Sequence, residues 1–353
     1  MRWVTVALFL AVAACSDRAS GPVVPDALDF GLNMPVFMGT TRALNDTGQF
    51  GIERSASLRL MKTTVSIPPN RDVGSISDGQ QSPKLDRDFA IAGLEEFEDK
   101  SRFAASLETE ITKRAVDRRE VVVFVHGFNN NFSDAAFRMA QLGHDLEIPG
   151  AHVSYAWPSR ANPLGYGYDQ DSALFARDGL ADLLKTVRSA GQPDVVVVAH
   201  SMGSSLLMET FRQIEIAQPG WVGENIRGVI LISPDLNVDV FRSQFNQIQN
   251  VPDPFVVIVS RKDAVLRLSS RLRGQESQLG NISNTGEVAD LPVTIVDVTE
   301  FSDRKSGNHF VAGNSPALIQ LLRRSSDIDR GFLTGNTGGV VVFPGQRRAT
   351  SGR

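Results

Sequence analysis

Cysteine is almost absent: Cys15 is the single one in 353 residues. That excludes an intrachain disulfide and a thiolate metal cluster. A basic excess is missing too. Lys and Arg number 36 against 40 Asp and Glu, a net charge of −4, so the balance gives no reason to expect nucleic acid as a partner. There is no internal repeat. The apolar run Val4 to Ala14, broken by Thr5, is too short to span a membrane as a mature helix. Hydrophobic residues still make up 42% of the chain, ample for a core. The length suits one large domain or two small ones.

The N-terminus has the order of a secretory signal. Arg2 is a short positive n-region, the apolar run has h-region length, and it ends Val12-Ala13-Ala14-Cys15. That ending resembles the bacterial lipobox, where cleavage leaves a diacylated cysteine at the new N-terminus. The resemblance implies lipidation of Cys15 and a stable anchor in the bacterial cell envelope. Ser16 in place of Asp implies, again by resemblance, the outer membrane facing the periplasm over the inner one, where a cell has both. The expected organisation is a signal peptide and lipobox over 1–15 and a tether over 16–48, rich in Gly, Pro, Asp and Thr. One domain follows over 49–325, then a loose tail over 326–353.

Within the domain, residues 50–67 alternate loosely and end at Ile67-Pro68-Pro69, which suggests antiparallel strands at a sheet edge. Residues 89–97 read as another strand. Phe103, Leu107 and Ile111 predict a helix over 102–115. From Glu120 onward strands and helices alternate. Apolar strands fall at 121–125, 152–157, 195–198, 228–232, 255–259 and 293–298. Ser133-Asp134 caps one expected helix, Asp171-Ser172 starts another, and 264–280 is partly helical. Ser315-Pro316 opens the last, with proline at the first helical position. Continuously apolar strands between helices mean a parallel sheet covered on both faces.

One stretch organises the rest. Val195-Val196-Val197-Val198 leads into Ala199-His200-Ser201-Met202-Gly203, and Met202, Leu206, Leu207, Phe211 and Ile214 then recur at helical spacing. That is strand, tight turn and helix, with a serine at the apex. Ala199-x-Ser201-x-Gly203 is the nucleophile-elbow pattern with alanine for the first glycine. A serine hydroxyl is a poor nucleophile and must be presented to a base without crowding. A sharp turn lifts its oxygen above the sheet edge and sets the Met202 N–H at a helix N-terminus, where it can stabilise an oxyanion. The same pattern also fits a plain serine N-cap between a parallel strand and a helix.

Further motifs accompany the elbow: Val65-Ser66-Ile67-Pro68, His126-Gly127-Phe128-Asn129, Trp157-Pro158-Ser159, Tyr168-x-x-Asp171 and Ser233-Pro234-Asp235. From about Val121 to Leu322 the chain resembles the α/β-hydrolase superfamily. More narrowly, these motifs look like a bacterial α/β-hydrolase family whose substrates are not established. The resemblance implies an α/β fold with a mostly parallel doubly wound sheet and antiparallel N-terminal edge strands. It implies hydrolysis of an ester, thioester or amide through an acyl-serine. The catalytic order in this fold is serine, acid, histidine. Of five histidines, His126, His144, His152 and His200 fall before or beside Ser201, and only His309 lies downstream. His309 is therefore the implied base, and His200 would point away.

Two acids end strands between Ser201 and His309. Asp263 is preferred because the strand after next from the elbow commonly supplies the acid in this fold; Asp235 is the alternative. The loop after the first parallel strand matches the oxyanion loop, so Phe128 N–H is the implied second donor beside Met202. Gly127 permits close approach there, and His126 reads as structural. Trp157, Tyr166 and Tyr168 either line an acyl pocket or pack loops. No metal or cofactor is expected. The expected function is a membrane-tethered serine hydrolase, esterase or lipase-like, acting on a small-molecule or lipid ester. A peptidase or amidase of the same fold is one alternative. A non-catalytic scaffold binding an envelope ligand is another, although a scaffold would be expected to have lost Ser201, His309 or the acid.

Overall fold

The computed structural model describes residues 18, 20–76, 81–114, 119–274, 278–301, 309–328 and 339–342. Cys15 and the expected signal segment lie outside the described residues. In chain order the elements are β1 (Leu32–Leu44), β2 (Phe50–Ile67), β3 (Ala90–Phe97), α1 (Lys100–Thr112), β4 (Glu120–Val125), α2 (Phe132–Asp145), β5 (Ala151–Ala156) and α3 (Tyr166–Arg188). Next come β6 (Asp194–His200), α4 (Met202–Ala217), the short α5 (Trp221–Asn225), β7 (Gly228–Ile232), α6 (Val238–Phe245), β8 (Phe255–Val259) and α7 (Ala264–Leu272). The last elements among the described residues are β9 (Thr294–Asp297), α8 (Val311–Asn314), α9 (Pro316–Ile328) and β10 (Gly339–Val342).

The strands form one sheet in the order β10-β9-β8-β7-β6-β4-β5-β1-β2-β3. β2 is antiparallel to β1 and to β3, and the other strand pairings are parallel. Successive side chains of a strand serve opposite cores. Val121, Val123 and Val125 join Val195, Val197 and Ala199 on one face, under Leu180, Leu183 and Leu184 of α3 and Leu206, Leu207 and Phe211 of α4. Val122 and Phe124 face the other side, with Ala135, Ala136 and Met139 of α2 and Leu318 of α9. Both faces being buried is the reason these strands read as unbroken apolar runs.

Several expectations are corrected by the structure. The stretch 16–48, expected as a tether, contains β1, an internal strand between β5 and β2. Pro35 and Gly39 disguise it. Pro35 lies ahead of the segment from Phe37 to Thr40 that pairs with β5, where a missing N–H is tolerated. Gly39 is needed because α3 comes close: a Cβ there would stand 2.8 Å from a Leu183 methyl. The stretch 326–353, expected as a tail, opens on the end of α9 and includes β10, which pairs with β9. α2 is capped by Asn131 rather than Ser133-Asp134, with Asp134 closing a capping box. α3 starts at Tyr166, ahead of Asp171, after an N-cap glycine that offers no side-chain signal.

Burial makes this fold sensitive to acid. It pushes the His126 imidazole down to about 3 and that of His152 to about 4, against an ordinary 6.5. Between those values the unfolded chain binds protons that the native chain does not. Stability therefore rises with pH in that window and is lost as pH falls below about 6.5, by about 1 kcal/mol per pH unit for each group. Denaturant midpoints at about pH 7 and about pH 5 check the sign. The lower pH gives the lower midpoint, and His152→Gln flattens the slope. A midpoint that does not move would mean that neither ring is excluded from water.

Candidate active site

The strand order places the site. From β4 the chain passes to β5 on one side and then returns to β6 on the other. Crevices open at the carboxyl end of such a switch point, and the two loops there follow β4 and β6. Ser201 sits between β6 and α4 with φ 53° and ψ −122°. That backbone costs a non-glycine residue about 1–3 kcal/mol, so its surroundings must hold it. They do. The Ser201 N–H donates to Ile232 O at 3.0 Å, and its carbonyl accepts from the Ser204 and Asp235 N–H groups at 2.9 and 3.2 Å. The small neighbours are required as well. A Cβ on Gly203 would stand 2.4 Å from His126 O, and one on Gly127 would stand 2.9 Å from Ser201 Cβ. The loop after β4 therefore lies directly against the serine.

Ser201, His309 and Asp263 are brought together. Ser201 Oγ is 2.8 Å from His309 Nε2, and His309 Nδ1 is 2.8 Å from Asp263 Oδ2. Asp263 is also the N-cap of α7. Its Oδ1 accepts the N–H groups of Val265 and Leu266 at 3.0 Å each, which leaves Oδ2 to face the histidine. The carboxylate is fully buried. With Asp263 ionised, this geometry puts the imidazole proton on Nδ1 and leaves Nε2 to accept from Ser201.

Asp235, the alternative acid, is held elsewhere. Tyr166 OH donates to its Oδ2 at 2.7 Å, Ser269 Oγ to its Oδ1 at 2.8 Å, and Arg273 stands 3.4 Å away. It ties α3 to α7. The two expected oxyanion donors come from different places, Met202 next to the serine in the chain and Phe128 in the loop after β4. Met202 is the first residue of α4, where a helix N–H has no acceptor within the helix. Phe128 follows Gly127 in the loop pressed on Ser201, its ring edge-on to Tyr166 with centroids 5.5 Å apart.

The other aromatic expectations divide. Trp157 is wholly buried, stacks on His126 at 4.9 Å and donates its Nε1–H to His126 O at 2.7 Å. Tyr168 bonds Ile52 O, with the Arg54 guanidinium over its ring. Trp157 packs the loop after β4, Tyr168 ties α3 to β2, and of the three Tyr166 stands by Phe128. A cavity of about 240 Å³ opens beside Met202. Its walls include Leu174 of α3, Leu206 of α4, Leu236, Val240 of α6 and Arg273 beyond α7. Among the described residues, no group of three or more His, Cys, Asp or Glu could hold a metal ion.

Sequence reasoning misses two residues. His200 does not point away: its ring packs on His309 at 4.7 Å and on Phe310 at 4.4 Å, and its Nε2 is 3.3 Å from His309 O. Burial, and then the nearby His309, hold its imidazole well below the ordinary value. It stays neutral and can donate to that carbonyl. Adjacency to Ser201 is its one sequence signal. Arg42, in the stretch expected as a tether, is buried and donates to Gly51 O, Ser159 O and Asn130 O. It clamps the loops that follow β4 and β5, and no motif marks it.

Among solved structures the chain is similar to a protein of Thermoplasma acidophilum described as a predicted CIB-like hydrolase. The identity is 20% over 61% of this chain and 88% of the other, with a TM-score of 0.36. It is similar to a monoacylglycerol lipase of Paleococcus ferrophilus at 14% identity, over 59% and 95% of the two chains, TM-score 0.36. Lipase B of Aspergillus fumigatus matches at 15% identity, over 62% and 53%, TM-score 0.37. At these scores the likenesses assign neither a substrate nor a site residue. A curated relative, the uncharacterized protein alr1448 of Nostoc sp., is 32% identical over 81 residues, 22% of this chain. The match spans 21% of that relative's length. The family described as "Alpha/beta hydrolase of unknown function (DUF900)" matches residues 100–325, well over half of the chain. The chain therefore belongs to this α/β-hydrolase family, DUF900, and its doubly wound sheet with antiparallel N-terminal edge strands is the α/β-hydrolase fold.

Proposed function

We propose that the protein is a serine hydrolase of carboxylic esters, esterase or lipase-like, working through an acyl-serine. The observation that carries this reading is the hydrogen-bonded line from Ser201 Oγ through His309 to Asp263, 2.8 Å at each step. Ser201 Oγ attacks the ester carbonyl carbon while His309 Nε2 takes its proton, and Asp263 steadies the imidazolium. The N–H groups of Met202 and Phe128 meet the oxyanion that forms. Collapse breaks the bond to the alcohol oxygen, which leaves with the proton from His309. Water, deprotonated by the same ring, then cleaves the acyl-serine and frees Ser201. The cavity beside Met202, where Leu174, Leu206, Leu236 and Val240 stand among polar groups such as Gln170, Glu209 and Arg273, is the proposed seat of the acyl chain.

Fluorophosphonate labelling tests the reading. Label is expected on Ser201 and is lost in Ser201→Ala, and the wild-type chain hydrolyses short activated esters. A chain that takes no label and cleaves no ester, thioester or amide supports the binding scaffold instead. The proposed place of work is the bacterial cell envelope, through an acylated Cys15. Its support is the apolar run ending Val12-Ala13-Ala14-Cys15. The mass of the mature N-terminal peptide checks it.

A further inference from the structure

α7 is turned inside out. Its large apolar side chains face water: Val265, Leu268 and Leu272 are 43%, 58% and 66% exposed. They recur at helical spacing, so they form one stripe. The inward face carries Leu266 with Ser269 and Ser270. The two serines donate to Asp235 Oδ1 and to Leu266 O. A helix packed only to complete its own domain shows the reverse pattern.

Cations edge the stripe. Residues 261–273 hold Arg261, Lys262, Arg267, Arg271 and Arg273 against one acid, Asp263, which is buried. Arg261, Lys262 and Arg273 have carboxylate partners in Asp297, Glu300 and Asp235. Among the described residues no carboxylate pairs with Arg267 or Arg271, and both are exposed. This local excess stands on a chain whose net charge is −4.

We infer that α7 docks the protein on an anionic lipid surface. Val265, Leu268 and Leu272 enter the interfacial layer, and Arg267 and Arg271 meet lipid phosphates. An apolar stripe edged by arginine suits a helix that lies in a membrane interface rather than crossing it, and a cation not neutralised by a carboxylate adds attraction to negative headgroups. The position of α7 suits this use. Asp263 caps its start, and it ends beside Arg273, which lines the cavity at Met202 together with the half-exposed Leu174 and Val240. A lipid surface under α7 thus lies near the rim of that cavity. The docking itself does not depend on Ser201 being a nucleophile.

Because Cys15 is the single cysteine, a Cys15→Ser, Leu268→Cys chain carries one thiol for an environment-sensitive fluorophore. Asp46→Cys in the same background, in the exposed turn between β1 and β2, is the control. Vesicles of equal parts phosphatidylcholine and phosphatidylglycerol should shift the emission of the probe at 268 to the blue. Pure phosphatidylcholine should not, and the probe at 46 should not respond to either. Arg267→Gln with Arg271→Gln should abolish the shift while circular dichroism stays unchanged. No shift with the anionic vesicles overturns the proposal. So does an equal shift with pure phosphatidylcholine, or an equal response at 46. An emission already blue in buffer also overturns it: if it reverts on dilution, a second copy covers the stripe, and if it does not, another part of this chain does. Fluorophosphonate labelling of Ser201 reads the catalytic proposal separately, so either can fail alone.

Discussion

Ser201→Ala and His309→Ala each remove nearly all turnover on a short activated ester, on the order of a millionfold. The double mutant is hardly worse than either. The non-additivity follows from the geometry. His309 Nε2 is aimed at Ser201 Oγ at 2.8 Å, and a base with no nucleophile to activate does nothing. Folding is unchanged in both, because alanine keeps the Cβ of Ser201 and the imidazole is a site group at the sheet edge. A residual rate above that of water survives, supplied by the amides of Met202 and Phe128. The measurement is ester hydrolysis by the purified chain, with circular dichroism as the folding control. Strictly additive losses would mean that His309 is not the base for Ser201 and that their contact is packing.

Asp263→Asn lowers kcat by about ten-thousandfold, roughly 5 kcal/mol of transition-state stabilisation. The cap explains why so small a change acts so strongly. The amide oxygen of the new side chain can keep the bonds that Oδ1 of Asp263 makes to the Val265 and Leu266 N–H groups. The amide NH₂ group then faces His309 Nδ1. Two donors cannot share that position, so the ring is driven to the tautomer with its proton on Nε2, which cannot accept from Ser201. Asp235→Asn does much less to turnover. It weakens the bonds to Tyr166, Ser269 and Arg273, and its expected loss is about 1–3 kcal/mol of stability. Steady-state kinetics and denaturant titration of the two variants separate the cases. The reverse ranking would give the acid's role to Asp235.

The sequence by itself determines the elements whose constraints are local. The elbow is legible because a buried strand, a tight turn and a helix leave their marks within about ten residues: four valines, small neighbours and an apolar helical period around Ser201. The parallel sheet is legible for the same reason, since strands buried on both faces must be continuously apolar. His309 is reached through chain order alone, because it lies 108 positions beyond Ser201 and no period links the two. The choice of acid belongs to the tertiary structure. Asp263 and Asp235 both follow strands, and what separates them is which partners the folded chain delivers: His309 to one, Tyr166 and Arg273 to the other.

β1 is hidden because Pro35 and Gly39 carry turn propensity, while the contacts that make them acceptable come from β5 and α3. His200 and Arg42 are hidden because their roles exist only once distant loops meet them. α7 shows the boundary most clearly. Its period reveals an apolar stripe, but a period has no inside or outside. Only the packed sheet decided that the serines turn inward and the leucines at 268 and 272 face the solvent.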